Sequence, residues 1–240
     1  MADQTQREHR RMGRFEDPRS LRHGWRLRRI KPLIEMIESV HAQKGRVSVI
    51  DVGGTARYWK IVPRDLLQRC KVTITIVNLP GSQPPADHDV FKYVAADGCD
   101  LNGFADQSFD IAHSNSVIEH VGDWSRMKAF AAEIRRLARQ YFVQTPNYWF
   151  PVEPHGMVAF FHWFPRPLRV WLLLHFKVGN WGRSDSVDSA MLVVESARLL
   201  NRSMIEALFP DSLVLVERVL LLPKSFIAVR RGRDGLEAGA

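Results

Sequence analysis

The chain has 240 residues, of which 45% are apolar and 25% charged, with two cysteines and a formal net charge of +8. This length buries a sizeable core in one domain with at most an appendage, and Cys70 and Cys99 are too few for a disulfide framework or a cysteine zinc site. The charge invites a nucleic-acid reading but is uneven: residues 1–31 hold ten Lys/Arg against four acids, +6, which leaves only +2 for residues 32–240.

Residues 1–29 are arginine-rich and poor in apolar side chains, and they read as a basic N-terminal arm. No apolar stretch of about 7–15 residues follows them, so a secretory signal is not expected. Pro32 suits the first turn of a helix whose apolar face is Ile30, Leu33, Ile34, Ile37 and Val40, ended by Gly45. Val47 to Ile50 is a buried strand that turns at Asp51-Val52-Gly53-Gly54-Thr55. A helix over 63–70 and strands at 72–77, 90–94 and 109–112 follow. Residues 125–139 have the pattern of an amphipathic helix, and 141–143 form a fifth strand. An aromatic insertion or cap occupies about 148–181. Ser203 and Glu206 match a capping box that opens a short helix. Strands at 214–222 and 225–229 pair antiparallel, and 232–240 form a tail.

Strands alternating with helices predict an α/β domain over 30–231. Its sheet is doubly wound, mostly parallel and Rossmann-like, with an antiparallel C-terminal strand pair. Ligands of such sheets bind at the carboxyl ends of the strands. The first strand ends in Asp51, Gly53 and Gly54, where backbone can approach a ligand closely. The dinucleotide fingerprint is absent, because Thr55 and Tyr58, or Ala56 and Trp59, stand where its later glycines belong. Asn78 ends the second strand and can hold a hydroxyl. Asp97-Gly98 follows the third and can accept from an exocyclic amine. The fourth strand runs into Ser114, Asn115, Glu119 and His120. Ordinary turn chemistry accounts for each of these signals taken singly.

Taken in order, they resemble a class I S-adenosylmethionine-dependent methyltransferase of the small-molecule superfamily. VSVIDVGGT is similar to its first motif, TITIVNLPG to its second and YVAADGCDL to its third. QSFDIAHSNSVIEHV resembles its fourth-strand segment. The resemblance covers about 45–150. It implies S-adenosyl-L-methionine as cofactor, with Gly53 and Gly54 along its methionine part and Asp51 orienting that loop. It places Asn78 at the ribose, Asp97 and Gly98 at the adenine amine, and Ser114 and Asn115 at the sulfonium end. Two departures stand out: the usual glycine triplet reads Gly53-Gly54-Thr55-Ala56-Arg57, and Asn78 replaces the usual acid.

Methyl transfer from a sulfonium needs alignment and a dry site, with a base only where the acceptor must lose a proton. His120, after the fourth strand, and His155, in Glu153-Pro154-His155 after the fifth, are the candidate catalytic groups. A structural role is the plain alternative for each. No metal is expected. The insertion holds ten aromatic residues and predicts a lid over a small-molecule, lipid or glycan-linked acceptor, with a hydroxyl oxygen methylated; a small packed cap is the plain alternative. Residues 1–31 and 157–176 are candidates for contact with an anionic membrane surface. Pro165, Pro167 and the charges in 157–176 rule out a span, and the expected location is the cytoplasm or its membrane surface. The competing classes are an RNA methyltransferase and a non-catalytic binding protein of the same fold. Ser114-Asn115-Ser116-Val117 lacks the Asp/Asn-Pro-Pro-aromatic signature of base-nitrogen enzymes, and nucleic acid is the weaker reading.

Overall fold

The computed structural model describes residues 21–81 and 86–232. The basic arm before residue 21 and the tail after residue 232 lie outside the described residues. The chain divides into two compact units, residues 1–47 with 55–72, and residues 48–54 with 73–240.

The first unit is built on helix α1 (Leu21–Lys44) and the short helix α2 (Arg64–Arg69). The predicted apolar face of α1 is buried at Ile30, Leu33, Ile37 and Val40, and Met36 joins it. The helix begins at Leu21, so Pro32 lies inside it rather than in its first turn, and residues 21–29 of the basic stretch are helical. The burial of that apolar face outweighs the hydrogen bond that a mid-helix proline removes. Pro63 precedes α2, and Arg69 reaches the Glu38 carboxylate at 3.3 Å.

The second unit carries a seven-stranded sheet in the order β3-β2-β1-β4-β5-β9-β8. Its strands are β1 (Val47–Val52), β2 (Val72–Asn78), β3 (Phe91–Ala95), β4 (Phe109–Asn115), β5 (Ala138–Pro146), β8 (Leu213–Val219) and β9 (Leu222–Arg230). β2 with β3, β1 with β4, and β4 with β5 run parallel, whereas β9 is antiparallel to both β5 and β8. This is the mostly parallel, Rossmann-like sheet with an antiparallel C-terminal pair that the sequence predicts. β4 is longer than predicted and contains Ser114 and Asn115.

Helix α3 (Trp124–Leu137) starts where the Asp123 side chain accepts from the Arg126 backbone N–H, and it buries Met127, Phe130, Ala131, Ile134 and Leu137. It stops before Arg139, because Ala138 already adopts the extended backbone of β5. These side chains share one core with Ile50, Val52, Val77, Ala112, Tyr141 and Val143 of the strands and with Ile205, Leu208 and Phe209 at helix α6 (Arg202–Leu208). The capping box at Ser203 does not form. Asn201 caps α6 by accepting from the Met204 backbone N–H, and Glu206 instead pairs with Arg202 at 2.7 Å. Asn and Ser are near-equal caps, so starting the helix two residues earlier costs little.

The insertion contains a small hairpin, β6 (Val152–Glu153) and β7 (Val158–Ala159), and helix α4 (Arg166–His175); helix α5 (Val187–Glu195) follows it, and the sequence reading left both helices unassigned. Together they hold a small core of Phe161, Leu173, Val178, Ala190 and Val194. Trp149, Phe160, Trp163, Phe164, Trp171 and Phe176 remain exposed. Among the described residues, no helix is long and apolar enough to cross a membrane.

Phe130 is fully buried at the centre of the main core, so Phe130→Ala is expected to cost about 3–5 kcal/mol. Urea unfolding measures it directly, and a loss near zero contradicts the assigned packing.

Candidate functional site

The residues singled out at the strand ends come from parallel strands of one sheet, and their register is fixed. Asp51 lies across from His113 and Asn78 across from Ala95, while Asn115 faces Gln144. Beyond the strands, the Gly53 N–H donates to the Val77 carbonyl at 2.7 Å and the Ser116 N–H to the Gln144 carbonyl at 2.9 Å. The loops that leave β1 and β4 therefore start from anchored backbone.

Asp51 and His113 are fully buried, with Asp51 Oδ1 2.6 Å from His113 Nδ1. Gly54 sits against that carboxylate, and a Cβ on it would lie 1.8 Å from Asp51 Oδ2. Gly53 has φ +76°, and a Cβ there would lie 2.5 Å from the Val117 side chain. Both glycines are thus required sterically, and the Asp51 side chain fills the space beside Gly54.

Asn78 is exposed, and its Nδ2 donates to the Gly54 carbonyl at 3.0 Å. Its amide oxygen is the acceptor the side chain can offer a ligand. Asp97 accepts from the Cys99 backbone N–H and, on both oxygens, from Arg126 Nη2 at 2.9 and 2.7 Å. That guanidinium holds the Asp97 carboxyl below its ordinary range. A carboxylate has about four lone-pair directions, so a further donor can still be accepted. Gly98 packs closely, since a Cβ there would lie 2.7 Å from the Val52 side chain. Ser114 is buried, and its hydroxyl donates to the Val52 carbonyl at 2.9 Å, which ties β4 to β1. Asn115 Oδ1 is shielded from solvent and has no hydrogen-bond partner. Buried polar atoms are normally satisfied, and an orphan at the end of a parallel strand marks a place for a ligand donor.

A second group lies further along. Glu119 and His120 sit in a 3-10 turn, Ile118–His120, just past β4. Thr145 near the end of β5 donates to Glu119 Oε2 at 3.0 Å. His155 lies in the turn of the hairpin, where the Glu153 carboxylate accepts from its backbone N–H at 2.8 Å and lies 2.7 Å from its Nδ1. His120 Nδ1 is 2.6 Å from the Ser196 carbonyl, and the two Nε2 atoms face one another at 3.0 Å. Burial pushes Glu119 up to about 7 and His120 below its ordinary value, while the bond to Glu153 raises His155. The structure thus brings together the two histidines predicted separately. Sequence reasoning missed Glu119, Glu153 and Ser196 as their partners. The Glu119-His120 and Glu153-Pro154-His155 strings were the available signal.

Residues 53–141 match the family model of a methyltransferase domain, a stretch of less than half the chain. This stretch of the chain is therefore similar to a methyltransferase domain, the class that the sequence motifs resemble. Among solved structures, an O-methyltransferase family protein from Burkholderia thailandensis is 16% identical with a TM-score of 0.47; 86% of this chain aligns with 57% of that one. The 1,6-didemethyltoxoflavin N1-methyltransferase of the same organism is 16% identical with a TM-score of 0.44, over 84% of this chain and 79% of that one. Magnesium protoporphyrin IX methyltransferase from Synechocystis is 12% identical with a TM-score of 0.43, over 83% and 84%. No curated protein sequence matches the chain.

The cofactor of this class is S-adenosylmethionine. The site fits it: two glycines that admit no side chain, an exposed amide at Asn78, a carboxylate at Asp97 and the orphaned oxygen of Asn115. When bound, it supplies a methyl group already activated on a sulfonium. Asn115→Ala and Asp97→Ala are each expected to weaken S-adenosylhomocysteine binding about tenfold, which is about 1.4 kcal/mol, with little change in melting temperature. Calorimetry reads both, and an unchanged affinity removes the residue concerned from the cofactor site.

Proposed function

We propose that the chain is a methyltransferase that moves the methyl group of S-adenosylmethionine to a hydroxyl oxygen of a small-molecule, lipid-linked or glycan-linked acceptor. The observation that carries this reading is the facing pair His120 and His155 beyond the β4 end. A hydroxyl must lose its proton as it is methylated, and imidazole is the side chain suited to that near neutral pH. The Ser196 carbonyl can only accept, so His120 donates through Nδ1; the Glu153 carboxylate likewise holds Nδ1–H of His155. Both rings thereby turn Nε2 toward the same point, where the acceptor hydroxyl belongs.

The exposed aromatic face of the insertion supports an acceptor with an apolar body, and exposed Trp171 and Phe176 suit a lipid interface. On this reading, residues 1–31 and 157–176 hold the protein to an anionic surface. An RNA acceptor gains no support from an aromatic, weakly charged insertion.

The test is a labelled-methyl assay on lipid, glycan and RNA extracts. Label is expected in the lipid or glycan fraction, and His120→Ala or His155→Ala should lower the rate by about 10²–10⁴-fold while S-adenosylhomocysteine affinity is unchanged. Label confined to RNA favours the alternative acceptor. Absence of S-adenosylhomocysteine binding at millimolar ligand defeats the enzyme reading itself.

A further inference from the structure

We infer that Glu119, His120 and His155 form a binding site for one divalent transition-metal ion, zinc by ligand type, that holds the acceptor's hydroxyl oxygen. This rests on the methyltransferase reading and specifies how the histidine pair acts in it.

One ligand atom from each of the three residues lies within 4.8 Å of the others. Both histidines have Nδ1 fixed by an acceptor, the Ser196 carbonyl for His120 and the Glu153 carboxylate for His155. Each ring in its neutral form then presents an Nε2 lone pair, and the two nitrogens lie only 3.0 Å apart. Lone pairs that close repel, so something electropositive belongs between them, either a proton or a cation. Glu119 decides between these. Its residue is 1% exposed, Oε2 is engaged by Thr145, and Oε1 is buried without a hydrogen-bond partner. A proton shared by two nitrogens leaves Oε1 orphaned, whereas an ion takes all three atoms.

The nitrogen pair suits an ion, and the cluster, which spreads over as much as 4.8 Å, needs to close by about half an ångström to bring every ligand atom within bonding distance. Ligand nitrogens each about 2.0–2.1 Å from a zinc ion subtend roughly a right angle when they are 3.0 Å apart. The outer contacts are those metal sites use, with each histidine donating its other N–H to a carbonyl or carboxylate and the ligating carboxylate accepting a hydrogen bond. Charge also balances, because the Glu119 and Glu153 carboxylates offset a divalent ion beside two neutral imidazoles. Two imidazoles and one carboxylate favour zinc and its neighbours over magnesium, and three protein ligands leave positions open. A hydroxyl bound at an open position loses its proton more readily: the O–H bond breaks, the proton passes to water, and the oxygen stays on the ion.

The experiment uses the full chain, stripped with chelator and titrated with zinc chloride in a calorimeter, with cobalt(II) absorption as a second readout. One ion per chain is expected at micromolar or tighter affinity. His155→Ala and Glu119→Gln should each weaken it at least tenfold, and Glu153→Gln by about 10–100-fold. His88→Ala, an exposed histidine outside the cluster, should leave it unchanged. S-adenosylhomocysteine affinity and melting temperature, measured on every variant, separate loss of the ion from loss of the fold. Wild type and both ligand variants binding zinc equally overturns the site. Methyl transfer that persists undiminished in chelator overturns the metal's role in holding the acceptor but leaves the methyltransferase reading intact. Failure to bind S-adenosylhomocysteine strikes that reading alone.

Discussion

Asp51 and His113 put a carboxylate and an imidazole into the interior of a parallel sheet, across adjacent strands, 2.6 Å apart. Parallel strands are ordinarily apolar on both faces, so buried polar side chains there must be satisfied on the spot. The His113 ring also stacks on Phe142 of the next strand at 5.7 Å, so it is fixed from two sides. Several features follow from this contact. Asp51 occupies the space that a side chain at Gly54 needs, which forces glycine there. Gly54 in turn offers the carbonyl that orients Asn78. The β4 strand that carries His113 also carries Ser114 and Asn115, and its register against β1 sets the height of Asn115 at the strand end.

The succession of strands along the chain was legible because each strand is a compact β-branched or aromatic run and each ends in turn chemistry. Asp51-Val52-Gly53-Gly54, Asn78 and Asp97-Gly98 were readable for the same reason, since a strand end that meets a ligand needs small or polar residues there. Less legible were features decided by packing between distant segments. Helix α1 runs through Pro32 because its buried face outweighs a local breaker. Helix α6 takes Asn201 rather than Ser203 as its cap. Ser114 serves the sheet through the Val52 carbonyl, and no local pattern indicates that. The contact between His120 and His155 joins residues on opposite sides of β5, and only the folded hairpin of the insertion brings them together.

The two halves of the site differ in how they are held. The cofactor half rests on backbone and on glycines, which tolerate no added atoms. The histidine half rests on side chains from three segments, locked by short polar contacts around a buried glutamate. A rigid first half suits a ligand that does not vary. The second half is where one domain architecture can be adapted to a different acceptor, because the hairpin that supplies His155 belongs to the insertion.

The carbonyl that positions His120 belongs to Ser196, the residue that ends helix α5. That helix contributes Ala190 and Val194 to the small core it shares with α4, the helix that bears the exposed Trp171. A strand-end ring and an outlying aromatic surface are thus joined mechanically through one short helix. A shift of α5 would therefore move the carbonyl that holds the His120 ring.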